Sequence, residues 1–418
     1  MRVVIAGQGY VGLPLAVRAA EVGHDVVGYD VDTVRIGLLA AGESYVEDIT
    51  AERLRAVLDS GRYRASTDPA DCAEYDIAVI TVPTPLRDGA PDLSYVEAST
   101  ELLASHLRPG ATVILESTTY PGTTDEVVRP LLEKSGLTAG VDFHLGFSPE
   151  RIDPGNPTWN VVNTPKIVSG INEESLARVK AFYETVVDTT VSVPSTRAAE
   201  LAKLIENTFR HVNIALVNEI AMISHDLGID VWQAIDAATS KPFGFMRFTP
   251  GPGVGGHCLP IDPSYLSWRV QRALGQSFRF VDLANDINNH MPDYVVRRLI
   301  EALNRRRRSV AGSRILLLGL AYKKNTGDAR ESPAVRVVQL LRQMGAEVRV
   351  ADPHVVEAVH GASDLTMVKA DAEELRAADA VVLLADHDAF DYDLIAAESR
   401  CVLDTRRRLT AGPTVEVI

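Results

Sequence analysis

The chain has 418 residues, 46% apolar and 23% charged, with a formal charge of −14 from 42 basic and 56 acidic side chains. That length exceeds a single hydrophobic core and predicts two or three domains. The acidic balance argues against nucleic acid as a partner, because phosphate binding draws on clustered positive charge. No apolar run reaches the length of a bilayer-spanning helix, so no membrane partner is expected. Three scattered cysteines, Cys72, Cys258 and Cys401, offer neither a disulfide framework nor metal-ligand spacing. A reducing cytoplasm without a bound metal is the expected setting.

In chain order, residues 2–6 read as a strand, 10–23 as a helix and 26–30 as a second strand. The first strand starts at the N-terminus, which therefore does not read as a signal peptide. Between strand and helix lies Gly7-x-Gly9-x-x-Gly12. Gly7 suits a tight turn, Gly9 a close approach to a pyrophosphate, and Gly12 close helix–strand packing. The helix opening around Tyr10 and Val11 turns its positive end to the phosphates. Asp30 ends the second strand, 18 residues after Gly12. A carboxylate there binds ribose hydroxyls and repels a 2′-phosphate, so NAD is expected over NADP. Further buried strands at 77–82, 112–116 and 143–147 imply a parallel sheet covered on both faces. Ligands bind at strand C-terminal ends in such sheets. Three loops sit there: Thr81–Leu86, Glu116–Thr123 with the hydroxyls of Ser117, Thr118 and Thr119, and Phe147–Arg151 with the carboxylate of Glu150.

Ala198 to Leu227 contains no Gly or Pro and repeats apolar residues at helical spacing. It predicts one helix about 45 Å long, enough to link two domains and carry a dimer interface. Glu200, Lys203 and Asn207 share one face of it. Their apolar neighbours imply burial, and an ammonium and an amide aimed at one point stabilise an oxyanion. Residues 229–300 read as further helices, interrupted by Gly251-Pro-Gly-Val-Gly-Gly-His-Cys-Leu-Pro-Ile-Asp262. This predicts a bare-backboned loop presenting Cys258, with Asp262 four residues on and His257 in support. The block Arg305–Arg308 reads as a solvated helix end at a domain boundary, with an anion contact as the alternative. Strands at 314–318, 347–351, 380–384 and 401–403, with a helix at 333–344, form a second, smaller α/β domain without a complete glycine fingerprint. The expected fold is α/β: two Rossmann-like doubly wound domains, 1–195 and 309–418, joined by a central helical domain, 196–308, with a long helix.

A dinucleotide fingerprint with a presented thiol points to oxidation through a covalent thioester. Together and in this order, the motifs resemble the UDP-glucose/GDP-mannose dehydrogenase family of nucleotide-sugar 6-dehydrogenases. The resemblance covers nearly the whole chain: Gly7–Gly12, Thr81–Leu86, Ser117–Thr123, Ser148–Gly155, Lys203 with Asn207, Gly251–Asp262 and Ala321–Pro333. It implies NAD as cofactor, a nucleotide-diphosphate sugar as substrate, a homodimer, and two successive hydride transfers at one site. It also implies residue roles. Cys258 is the nucleophile, and Lys203 and Asn207 stabilise the oxyanion. Asp262 and Thr118 position water and assist proton transfer, and Glu150 orients water. Cofactor contacts are Gly7, Gly9, Tyr10, Val11, Gly12, Asp30, Arg35, Thr84, Thr118 and Arg330. Substrate contacts are Glu150, Arg151, Lys203, Asn207, Arg247, Gly255 and Lys323.

The sequence departs from the UDP-glucose branch of that family. Ile261 replaces a lysine before Asp262, and Pro154 stands where a second glutamate is usual, which makes Asp153 a substitute carboxylate. The His257-Cys258 pair with Lys241–Phe245 upstream is similar to the branch that oxidises UDP-N-acetylglucosamine or UDP-N-acetylmannosamine. A UDP-N-acetylhexosamine is therefore the expected substrate, with plain UDP-glucose or dTDP-glucose as the alternative. Two competing readings are a two-electron β-hydroxyacid dehydrogenase, which needs no thiol, and a non-catalytic NAD or nucleotide-sugar sensor.

Overall fold

A computed structural model describes residues 1–418 except Glu47, Asp88, Pro154, Gly155, Pro157, His257 and 356–364; of Cys258 it describes the backbone alone. The chain forms two compact units, one of residues 1–206 with 268–275 and one of 207–267 with 276–418.

In the first unit, strands β1 (Arg2–Ala6), β2 (Asp25–Tyr29), β3 (Tyr63–Ser66), β4 (Ile77–Ile80), β5 (Thr112–Leu115), β6 (His144–Phe147), β7 (Lys166–Gly170) and β8 (Thr190–Ser192) make one sheet. Its order is β8-β7-β6-β5-β4-β1-β2-β3. Alternate residues of β1 feed different cores: Val3 and Ile5 pack on one face, Val4 and Ala6 on the other. Both faces are covered, which is why β4, β5 and β6 are buried at every position. The expectation of an all-parallel sheet needs one correction: β6 and β7 pair antiparallel. The described residues of the segment 148–165 between them form no helix, and a parallel return usually takes a helical crossover. Lys166 therefore opens its strand at the edge where β5 and β6 end.

In the second unit, β9 (Arg314–Leu318), β10 (Glu347–Ala351), β11 (Thr366–Met367), β12 (Ala380–Leu383), β13 (Val402–Asp404) and β14 (Val415–Val417) form a parallel sheet in the order β11-β10-β9-β12-β13-β14. Ile315 and Leu317 of β9 face one core and Leu316 and Leu318 the other. This unit also holds the helices Val231–Thr239 and Arg279–Arg305.

The long helix runs Thr196–Asp226, and the chain after it turns at Gly228 with φ +69°. The cysteine segment differs from its expectation. The glycine loop ends at Gly256, and Cys258 is the first residue of a helix, Cys258–Leu274, that carries Asp262 one turn on. Pro260 lies in the first turn, where no N–H is needed. Pro260 and Pro263 are what made the segment read as loop. The arginine block is also more engaged than a solvated end: Arg305 and Arg306 pair with Glu416, and Arg308 with Asp379 at 3.4 Å. Among the described residues no helix is long and apolar enough to cross a membrane.

Candidate active site

The glycine fingerprint is packed behind and open in front. Gly7 has φ +96°, and a Cβ there would meet the Thr81 carbonyl at 2.8 Å. On Gly12 a Cβ would lie 1.9 Å from the Gly7 carbonyl, whereas on Gly9 it would meet nothing within 4 Å. Thr81 Oγ1 donates to the carbonyls of Ala6 and Gly7 at 2.9 and 2.8 Å, which fixes the turn. The next helix begins at Gly12, and Val11 gives it no side-chain cap. Leu13 N–H donates to the Gly9 carbonyl at 3.1 Å and Pro14 has no N–H, so it is the positive helix end at Gly12 that suits an anion. Tyr10 is half-buried beside it.

Asp30 is buried and accepts from the N–H groups of Gln8 at 2.8 Å and Asp32 at 3.0 Å. Each of its oxygens keeps lone-pair capacity for a hydroxyl donor. Arg35 lies 3.7 Å from both Asp30 and Asp32 and 5.9 Å from the Tyr45 ring centre. Gln8 is fully buried: its amide donates to the Ile5 carbonyl at 2.9 Å and accepts from Tyr63 Oη at 2.9 Å. Burial pushes the Tyr63 phenol well up, so it stays a neutral donor. A bare crest, an uncapped helix start and an anchored acid together fit a dinucleotide. Sequence reading missed Gln8, Tyr45 and Tyr63, whose contacts are long-range.

At the ends of β5 and β6 lies a buried charged cluster. Glu150 Oε1 accepts from the N–H groups of Arg151, at 2.6 Å, and Ile152, and Oε2 lies 3.5 Å from Lys166 Nζ. Lys166 also donates to Glu116 Oε1, and Tyr183 Oη donates to Glu116 Oε2 at 2.6 Å. Burial pushes the Glu116 carboxyl up despite the Lys166 ammonium. Burial works on Glu150 in the same sense. There Lys166, the hydrogen bond from Glu116, the Ile152 N–H and Lys203 outweigh it and hold the carboxyl below its ordinary value. Sequence reading found Glu150 but not Glu116, Lys166 or Tyr183. One signal was available: a lysine opening a wholly buried strand needs a buried counter-ion.

Other predicted residues of this unit lie nearby in the chain and are held by their own partners. Thr84 Oγ1 donates to the Thr118 carbonyl at 2.8 Å, and Thr118 is half-buried. Arg151 pairs with Glu206 at 2.7 Å and donates to the Pro165 carbonyl at 2.6 Å. Asp153 accepts from the Asn156 amide at 3.2 Å. Lys203 is buried. One turn before it, Glu200 accepts from the N–H groups of Gly122 and Thr124, at 2.6 and 2.9 Å, and from the Thr124 hydroxyl at 2.7 Å. Glu200 thus anchors the loop that follows Thr118.

In the second unit, Asn207 Nδ2 donates to Asp262 Oδ2 at 2.6 Å, and both residues are buried. The glycine loop before Cys258 is pressed against the segment Ala321–Pro333. A Cβ on Gly255 would meet the Glu331 carbonyl at 2.7 Å. Gly256 has φ +83°, and a Cβ there would meet the Tyr322 ring at 2.7 Å. The Gly256 N–H donates to the Arg330 carbonyl at 3.0 Å, and the Arg330 guanidinium is held by Asp328 at 2.6 Å. Lys323 follows Tyr322 and is half-buried. Arg247 shares Asp236 with Arg407. These three residues line a cleft of about 460 Å³ with Trp232, Asp386 and Arg406. Arg406 was not picked out in sequence because it sits in an ordinary basic run. His257 lies outside the described residues, as does the side chain of Cys258.

Comparison with known proteins accounts for both units. Models of the UDP-glucose/GDP-mannose dehydrogenase family match the NAD binding domain over residues 1–187, the central domain over 197–290 and the UDP binding domain over 316–411. The UDP-N-acetyl-D-mannosamine dehydrogenase of Pyrococcus horikoshii is 38% identical over 373 residues, 89% of this chain and 88% of that protein. The UDP-N-acetyl-D-glucosamine 6-dehydrogenase of Pseudomonas aeruginosa is 38% identical over 358 residues, 85% and 83% of the two chains. Among solved structures, the UDP-D-ManNAc dehydrogenase from P. horikoshii superposes with a TM-score of 0.90 at 34% identity, covering 100% of this chain and 99% of the other. A UDP-glucose dehydrogenase from Pyrobaculum islandicum gives 0.85 at 30% identity, covering 97% and 94%. The chain belongs to the UDP-glucose/GDP-mannose dehydrogenase family and is an NAD-dependent nucleotide-sugar dehydrogenase.

Proposed function

We propose that the substrate is a UDP-N-acetylhexosamine, oxidised at C6 from alcohol to carboxylate. The names of the similar enzymes and the Gly255-Gly-His-Cys258 sequence support this sugar. The observation that carries the chemistry is the buried Asn207–Asp262 hydrogen bond, with Asp262 one turn beyond Cys258 on the same helix.

NAD, when bound, supplies the hydride acceptor for each of the two oxidations. The Gly7–Gly12 crest, Tyr10, Val11, Asp30, Arg35, Thr84, Thr118 and Arg330 would hold it. In the covalent phase the Cys258 sulfur bonds to C6 of the aldehyde while the thiol proton passes to the C6 oxygen, giving a thiohemiacetal. Loss of the second hydride from C6, with that hydroxyl proton released to water, gives a thioester. Lys203 and Asn207 donate to the C6 oxygen as it gains charge. For release, water attacks the thioester carbonyl, its proton passes to Glu150, the C–S bond breaks and the thiolate leaves. Asp262 and Thr118 orient that water. Arg151, Arg247, Gly255 and Lys323 bind the nucleotide sugar, and Arg406 in the Arg247 cleft adds a cation for the diphosphate.

The three-domain division at 195 and 308 belongs to the same reading, supported by the order of the family models. So does a homodimer. Phe209, Leu216, Ile220 and Ile223 are exposed along one helix at spacings that put them on one side. A reducing cytoplasm suits a working thiol. Cys258→Ser tests the route: acid formation should stop, and acid at the wild-type rate would remove the thioester from the mechanism.

A further inference from the structure

Glu150 does not stand alone as a base. Its carboxyl shares a buried site with a second carboxyl, Glu116, and one ammonium, Lys166. Glu116 immediately follows β5, Glu150 follows β6, and Lys166 opens β7, which reaches the same edge because β7 runs antiparallel to β6. Lys166 Nζ contacts both acids, and Tyr183, from the helix Glu173–Val186, donates to Glu116 at 2.6 Å. The Lys166 ammonium also sits 5.2 Å from the Tyr183 ring centre. From the long helix, Lys203 faces Glu150. Arg151, next to Glu150, is neutralised by Glu206.

Two carboxylates crowd the one ammonium that contacts them both in a dry site, and a shared proton relieves their repulsion. The geometry decides where the proton rests. Glu150 has two backbone N–H donors, which favour its ionised form. No backbone N–H donates to the Glu116 carboxyl among the described hydrogen bonds.

We propose that Lys166 and Glu116 are positioning residues for Glu150: Glu116 holds the proton of the pair, and Lys166 holds Glu150 as the ionised base. The directions of the Glu116 and Glu150 shifts agree with this division. The inference rests on the reading of Glu150 as the group that takes a proton from water.

Two measurements test it. The first is an infrared pH titration of ligand-free protein. In a Glu200→Gln background, which removes the other carboxyl raised to about 7, the pair should show one buried carboxylic-acid band at neutral pH, lost in both Glu116→Gln and Glu150→Gln and shifted in frequency by Glu116→Asp but not by Glu150→Asp. A band shifted by Glu150→Asp and not by Glu116→Asp would overturn the proposal. The second is the pH profile of kcat with UDP-N-acetylglucosamine or UDP-N-acetylmannosamine. Lys166→Met should move the acid limb up by about one pH unit or more, and Lys166→Arg should restore it. A purely structural lysine would lower kcat at every pH and leave the limb in place. Should Lys166→Met fail to fold, the Lys166→Met/Glu116→Gln double variant removes the ammonium together with the second carboxyl, so neither is left buried without the other, and should still move the limb up. Absence of turnover by wild type would sink the proposed function. The infrared titration, which needs no substrate, would still decide the proton's place.

Discussion

Asn207 donates to Asp262 at 2.6 Å, joining the long helix Thr196–Asp226 to the helix that begins at Cys258. Both residues are buried, so the bond fixes the orientation of the Asn207 amide. The other amide hydrogen is then the one available to a substrate oxygen. Asp262→Ala removes the acceptor and leaves a buried donor unpaired. The expected results are a loss of about 1–3 kcal/mol in denaturant unfolding and a fall in kcat of about 10²–10⁴-fold. Wild-type kcat in a normally folded variant would take Asp262 out of the chemistry.

The fingerprint glycines separate packing from binding. Gly9→Ala meets nothing within 4 Å, so thermal unfolding should match wild type while calorimetric NAD affinity drops by about tenfold, or about 1.4 kcal/mol. Gly12→Ala would place a methyl 1.9 Å from the Gly7 carbonyl, costing about 1–3 kcal/mol of stability through overpacking. Equal stability losses in the two variants would contradict this division.

Asp30 accepts from the Gln8 N–H at 2.8 Å and is placed for a ribose hydroxyl. Asp30→Ala removes the charge that repels a 2′-phosphate and orphans that N–H. The kcat/KM ratio of NAD to NADP should fall by about tenfold or more, and stability by about 1–3 kcal/mol. An unchanged cofactor ratio would place the ribose elsewhere.

Glu200 carries a pH dependence of stability. Burial outweighs its three donors and pushes its carboxyl from 4.5 up to about 7. A carboxyl raised in the folded state binds a proton that the unfolded chain has already released. Stability therefore declines as pH rises from about 4.5 to about 7, by up to about 3 kcal/mol. Denaturant curves for Glu200→Gln should lose that slope. A slope equal to wild type would mean that Glu200 is ionised throughout.

The strands that carry the site were legible because they are short apolar runs: β1, β2, β4, β5 and β9 fall within two residues of their expected limits. The edge strands were not. Tyr63–Ser66 and Thr190–Ser192 each contain exposed positions and form no apolar run, so neither reads as a strand in the sequence. The fingerprint, Lys203, Asn207, Glu150 and Asp262 were visible through spacing and residue type. Glu116, Lys166 and Tyr183 were hidden, since 50 and 67 residues separate Glu116 from its two partners, and only the antiparallel return of β7 assembles them. The helix beginning at Cys258 was masked by Pro260 and Pro263, residues that ordinarily signal a loop.

The central claim is a four-electron oxidation through Cys258, and the count of NADH per sugar tests it most directly. Limiting UDP-N-acetylglucosamine or UDP-N-acetylmannosamine would be run to completion with excess NAD. The account predicts two NADH for each sugar consumed, with the uronate as the product. One NADH per sugar, with aldehyde accumulating, would contradict it.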